Sequence, residues 1–248
     1  MHLFVGTSGY SYKEWKGNFY PEDLPDREML NHYGKQLPAV EINNTFYRLP
    51  KESVLKSWAD QVPPDFQFAV KASQRITHIK RLKDAGDETE YLLRIVRVLG
   101  SRLGCLLFQL PPNFKKDLPR LEQFLKHIPG DMRAAFEFRH TTWFEQDVFD
   151  CLKANGCALC IADADDELKI PFVSTANWGY LRLRREEYSN TDLKKWMKQV
   201  QDQGWEKAFV FFKHEDEGTG PKLAEQFLKL ADGPSSEKKG STRPKRKG

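Results

Sequence analysis

Glu41, Lys71, Glu137, Arg139, Arg182 and Lys213 each close a short apolar run, on the side of the run that carries small or polar residues. Acids, amines and guanidinium groups gathered in this way can do three kinds of chemistry. A buried carboxyl tuned by neighbouring cations serves as a general acid or base. A lysine crowded by other cations gives up its proton and becomes a nucleophile. Fixed cations in a narrow mouth concentrate an anion. The sidedness follows from alternation along a strand: in Phe66-Gln67-Phe68-Ala69-Val70-Lys71 the even positions are bulky and apolar, the odd ones Gln, Ala and Lys. Val40 and Ile42 oppose Glu41 and Asn43 in the same way, Phe136 and Phe138 oppose Glu137 and Arg139, and Leu181 and Leu183 oppose Arg182 and Arg184.

Such a site needs elements whose ends converge. Strand-like runs begin near residues 3, 38, 66, 105, 133, 157, 178 and 208, with helical patterns near 26–36, 51–60, 84–100, 117–127, 144–155, 191–203 and 221–231. Alternation of strand and helix predicts a parallel α/β sheet, and closure into a TIM (β/α)8 barrel explains both the strand count and the inward polar residues. Between Asp163 and Asn177, Pro171 and polar residues replace a clear helix, so the unit after strand 6 is expected to lack one. The alternative is an open doubly wound sheet, but no G-x-G-x-x-G follows the first strand. Residues 1–232 are read as a single barrel domain and 233–248 as a basic, unstructured tail.

Alternation places Thr7, Glu41, Asn43, Lys71, Gln109, Glu137, Arg139, Asp163, Arg182 and Lys213 in the inward upper layer, with Arg184 just above it. Cations outnumber acids in that set, which favours an anionic ligand. The alternative for any one pair is a structural ion pair inside the barrel. Aromatic residues crowd the same loops, among them Tyr10, Tyr12, Trp15, Phe46, Tyr47 and Trp143. Some wedge loops against the barrel, and those left exposed would stack on a ring. After strands 7 and 8, Arg182, Arg184, Arg185 and the run Gly218-Thr-Gly-Pro221 offer phosphate contacts, against a plain reading of the latter as helix capping. No cofactor is called for. A divalent metal would have to draw on His78, His140 and His214 with Glu137, Asp163, Asp165 and Asp216, and no compact ligand motif supports that reading.

The chain of 248 residues, about 40% apolar, is long enough to bury a substantial core. No run has the length and apolarity of a membrane helix and the N-terminus lacks a signal-peptide layout, so a cytoplasmic location is expected. The formal charge of +4 comes from the tail, which holds six basic residues against Glu237 and leaves the body slightly negative. Such a tail confers solubility or a weak, salt-sensitive contact with nucleic acid. Cys157-Ala-Leu-Cys160 lies in an apolar run where residues three apart face opposite ways, which fits buried thiols better than a metal knuckle.

Longer motifs add a resemblance. Gly6-Thr-Ser-Gly-Tyr-Ser-Tyr-Lys-Glu-Trp15, Val40-Glu-Ile-Asn-Asn-Thr-Phe-Tyr-Arg-Leu-Pro50, Val70-Lys-Ala-Ser73 with Ile76-Thr-His78, Leu107-Phe-Gln-Leu-Pro-Pro112, Glu137-Phe-Arg-His140 with Trp143, and Tyr180-Leu-Arg-Leu183 resemble the YecE-like family, domain of unknown function 72, over about residues 3 to 231. The resemblance implies a TIM barrel and brings no established activity. Phe212-Lys-His-Glu-Asp216 departs from the asparagine-rich end of many members, and Arg184 stands where a His-Gly is often seen.

The sequence is therefore expected to encode an enzyme that acts on an anionic, ring-containing ligand such as a phosphorylated sugar, a nucleotide or a nucleic-acid end. In the leading reading it is a hydrolase with Glu41 or Glu137 as general acid/base. Thr7, Tyr10, Asn43, Tyr47, Gln109, Arg139, His140, Trp143, Asp163, Arg182, Arg184 and Lys213 would bind the ligand. The alternatives are Lys71 as a Schiff-base amine and a non-enzymatic metabolite or nucleic-acid binding module.

Overall fold

Short β-branched and aromatic runs become strands here, and the longer amphipathic stretches between them become helices. The computed structural model describes residues 1–164, 168–213 and 218–231. The strands are β1 (His2–Ser8), β2 (Ala39–Ile42), β3 (Gln67–Lys71), β4 (Leu103–Gln109), β5 (Ala134–Glu137), β6 (Ala158–Asp163), β7 (Trp178–Leu183) and β8 (Lys207–Phe212). They lie in sequence order in one closed parallel barrel. β1 closes it against β8 over a register running from His2 opposite Lys207 to Thr7 opposite Phe212.

Among the described residues seven α-helices form the outer layer: α1 (Met29–Gln36), α2 (Glu52–Gln61), α3 (Gly86–Val96), α4 (Leu118–Leu125), α5 (Gln146–Ala154), α6 (Asn190–Gln201) and α7 (Thr219–Ala231). The described residues between β6 and β7 contain no helix, as the Pro171 segment predicts. The continuous helix expected over 84–100 instead ends at Val96, and a 3-10 stretch, Arg97–Arg102, follows. Gly100 breaks it at φ 58°, a conformation that a residue with a Cβ resists. Local chemistry sets the helix starts. Asp117 caps α4 by accepting a bond from Arg120 N, and Ser189 with Asp192 forms a capping box on α6.

Two apolar layers result. The outer one lies between sheet and helices and contains Phe68, Val70, Phe108, Phe136 and Leu181. The inner one fills the barrel with Ala39, Ala69, Leu107, Ala135, Cys160, Tyr180, Phe209 and Phe211, so the barrel is a plugged core. Cys157 belongs to the outer layer and Cys160 to the inner one, both as free thiols. Gly6 permits a close approach of β1 to β2, since a Cβ there would fall 1.8 Å from Ala39 O. Into that junction α1 sends Tyr33, whose buried hydroxyl accepts from Thr7 N and donates to Ala39 O, each at 2.8 Å. Among the described residues no helix is long and apolar enough to cross a membrane.

Candidate functional site

The centre of the barrel mouth is Arg182 on β7. Its Nη2 donates to Glu41 Oε1 at 2.8 Å and its Nη1 to Glu137 Oε2 at 2.7 Å. Both carboxylates are fully buried, and Arg182 is 3% exposed. Each acid is then saturated by neighbours. Glu41 accepts from Ser8 Oγ at 2.7 Å, Tyr180 Oη at 2.6 Å and Asn43 Nδ2 at 3.1 Å. Glu137 accepts from Gln109 Nε2 at 2.9 Å and Arg139 Nε at 2.6 Å. Burial pushes both carboxyls up, but Arg182, aided at Glu41 by the hydrogen bonds and at Glu137 by Arg139 and Arg184, holds both below the usual carboxylate range. Both therefore stay ionised at neutral pH.

Above this layer opens a cavity of about 660 Å³. Lys71, Arg139, Arg182, Arg184 and Lys213 line it, and among the described residues no carboxylate does. Among the described residues these side chains make the lining cationic, with Glu41 and Glu137 as the acids beneath it. Tyr12, Phe46 and Tyr47 supply aromatic walls, and Asn43, Gln74 and Gln109 supply neutral polar groups. Lys71 Nζ sits 4.4 Å from the centre of the Phe46 ring and makes no hydrogen bond or ion pair with any described residue. Burial and the charge of Arg182 bring its pKa down to about 8, against an opposing pull from Glu41 and Glu137.

The segment after β3 brings a further ring to the cavity. Arg75–Ile79 forms a π-helical turn with Ile76 and Thr77 buried, and His78 lines the mouth. Arg81, Leu82 and Asp84 follow in the left-handed region at φ 50°, 68° and 48°, a strained run for residues with a Cβ. Glu88 pins it through ion pairs to Arg75 and Lys80, and Lys80 Nζ donates to Asp84 O.

Several residues expected at the mouth lie elsewhere. Thr7 turns outward to Tyr33 and Gly9 O, and its neighbour Ser8 faces the mouth. Asp163 also points outward, where it accepts from Arg185, Tyr188 and Trp196. Inner Ala158 and Cys160 fix that parity. Trp143 is fully buried, stacked at 4.5 Å on Phe138 and donating to Phe114 O, so it is a packing residue. Tyr10 packs against the core, and His140 caps the short turn after β5 by accepting from Thr142 N. Asn43, Tyr47, Lys71, Gln109, Arg139, Arg182, Arg184 and Lys213 do line the cavity. Among the described residues no group of three candidate metal ligands occurs, and His214, Asp165 and Asp216 of the metal reading lie outside them. Gly218 to Pro221 begins α7, and the basic tail lies outside the described residues. Ser8 and Tyr180 were missed by sequence, although Tyr180 alternates with Arg182 and shares its face.

A family model for proteins of unknown function, DUF72, matches residues 4–247. The chain belongs to the DUF72 family. YunF of Bacillus subtilis is 25% identical over 93% of this chain and 95% of that protein. YecE of Escherichia coli is 37% identical over 57% of this chain and half of its own length. A DUF72 crystal structure from Thermotoga maritima superposes with a TM-score of 0.83 at 27% identity, covering 94% of this chain and all of that one. A second DUF72 protein, from Enterococcus faecalis, gives 0.74 at 19% identity over 93% of this chain and 98% of the other, which shows the shared fold alone. The DUF72 match runs past Ala231 into the basic segment, beyond the span of the motifs that first suggested the family.

Proposed function

We propose that this DUF72 protein is an enzyme that binds a phosphorylated carbonyl compound in the barrel mouth and reacts with it through the amine of Lys71. The observation that carries this reading is the contrast between the acids and the amine. Glu41 and Glu137 are buried, ionised and fully bonded. Neither touches the cavity, which argues against either as a general acid. Lys71 lines the cavity, has no carboxylate partner among the described residues and titrates at about 8, so about a tenth is free amine at pH 7 and about half at pH 8. Arg139, Arg184 and Lys213 would hold the phosphate, and Tyr47, 74% exposed at the rim, would face a ring.

In the reaction the Lys71 lone pair attacks the carbonyl carbon. The oxygen takes one proton from the amine and one from solvent and leaves as water, and a protonated imine joins carbon to Nζ. The test is trapping. The chain is incubated at pH 8 with dihydroxyacetone phosphate, glyceraldehyde 3-phosphate or ribose 5-phosphate and reduced with borohydride, and the adduct is mapped by peptide mass. Stoichiometric label on Lys71, lost in Lys71→Arg and suppressed by inorganic phosphate, is expected. Label spread over surface lysines, or none from all three probes, overturns the reading.

A further inference from the structure

Amine chemistry of this kind needs a base that can reach the substrate, and the two carboxylates are spent on Arg182. The hydrogen bonds after β3 single out another group. Thr77 Oγ1 lies 3.3 Å from Ser73 O and 2.9 Å from His78 Nδ1. Ser73 O already accepts from Ile76 N at 3.0 Å and from Thr77 N at 3.3 Å, so the Oγ1–Nδ1 contact can run either way; when Oγ1 donates to Ser73 O, Nδ1 carries the proton that bonds back to it. A neutral imidazole protonated at Nδ1 has its lone pair on Nε2. That nitrogen makes no hydrogen bond to any described residue, and the ring lines the cavity.

The ring and the amine meet the same phenyl group. His78 meets the Phe46 ring edge-on, with centres 4.8 Å apart, and Lys71 Nζ lies 4.4 Å from the centre of that same ring. Burial, with the charges of Lys71, Arg139 and Arg81, keeps the imidazole below its ordinary value and so neutral at pH 7. The π-helical turn fits such a role: its wider winding buries Thr77 beside the ring it orients.

We infer that His78 is a catalytic base, its Nε2 removing the proton from the carbon next to the substrate carbonyl once Lys71 has formed the protonated imine. This rests on the amine reading above. In the step the C–H electron pair becomes a C=C bond, the imine π pair moves onto nitrogen to give an enamine, and the proton passes to Nε2. Return of a proton from the same nitrogen restores the imine. The ligand class is narrowed accordingly, to phosphorylated aldehydes or ketones that carry hydrogen on the adjacent carbon. Thr77 is a positioning residue that sets the tautomer.

The experiment pairs two readouts on the full chain. Deuterium exchange into dihydroxyacetone phosphate, followed by proton NMR in heavy water, reports the base. Borohydride trapping of the same compound reports the amine. His78→Asn keeps a polar group near Nδ1 and lacks Nε2. It should lower exchange about 100-fold or more with trapping within twofold of the parent, in line with typical general-base contributions. Thr77→Val should lower exchange about tenfold, with trapping again preserved, because the tautomer is no longer fixed. Exchange at the parent rate in His78→Asn overturns the base and leaves the amine reading intact. Loss of trapping together with exchange in that variant assigns the ring a structural part and also overturns it. Absence of trapping in the parent chain removes both readings. Nitrogen-15 NMR of the parent at pH 7.5 decides the tautomer without any variant: a proton on Nδ1 is expected, and one on Nε2 overturns the inference.

Discussion

The guanidinium of Arg182 donates to Glu137 at 2.7 Å with both groups withdrawn from solvent. Truncating one partner of such a pair strands the other's charge, which typically costs about 3–5 kcal/mol. Glu137→Gln should therefore lower the melting temperature by roughly 10 °C, using the usual scaling for a domain of this size. Calorimetry checks it, and a shift of under 2 °C would show that water reaches the pair.

The same network sets the acid limit. Folded Glu41 and Glu137 titrate below their ordinary 4.5, so their contribution is complete above that value and is lost as pH falls beneath it. Melting temperature should fall steeply below about pH 4.5 in the parent and less steeply in Glu137→Gln, which has one such carboxyl fewer.

Lys71 works in the opposite direction. Its pKa is about 8 in the fold against an ordinary 10.5, so the unfolded chain binds more protons between those values and stability from this group rises with pH across that window. At pH 7 the charged amine is a net cost of up to about 3 kcal/mol, reduced by its partial exposure. Lys71→Met should raise stability by about 1–2 kcal/mol at pH 7, an advantage that shrinks towards pH 10, while abolishing imine trapping. Denaturant midpoints at the two pH values test the sign.

Anion binding should stabilise the fold by mass action. Phosphate at ten times its dissociation constant adds about 1.4 kcal/mol, and chloride at equal ionic strength should add far less. Arg184→Met should remove most of that phosphate effect without exposing Glu137, which keeps Arg182 and Arg139. Thermal shift with matched salts checks both halves.

Trp143 separates packing from recognition. Trp143→Ala should cost about 3–5 kcal/mol through the cavity left against Phe138, with phosphate affinity in the folded fraction unchanged. A weakened phosphate response at low temperature would return this residue to the binding site.

Where parity could be read against bulky neighbours, the sequence revealed the site. Glu41, Lys71, Glu137 and Arg182 alternate with Ile42, Val70, Phe136 and Leu181, large residues that pack under the helices, so their inward direction was legible. On β6 the inner residues are Ala158 and Cys160 and the outer ones Leu159 and Ile161, and on β1 Phe4 faces in while Val5 faces out. Strands of a closed barrel are buried on both sides, so apolar character alone does not tell the faces apart. Asp163 and Thr7 were assigned inward for that reason. The aromatic loops were ambiguous in a different way: Trp143 and Tyr47 look alike in sequence, yet one is fully buried and the other 74% exposed. The part played by His78 depends on a turn geometry and a threonine hydroxyl that no spacing rule reveals.

The bond from Arg182 to Glu41 spans 141 residues of chain. A ribosome adding residues in order makes Glu41 early and its partner only after six strands have been produced. Until then that acid lacks the guanidinium it meets in the fold. The barrel centre is thus among the last features to assemble, with a large loop to close before its contacts contribute, and such long-range pairing slows folding. Once made, the same bond ties the second strand to the seventh across the interior, so strands cannot leave the barrel singly from that side without rupturing it.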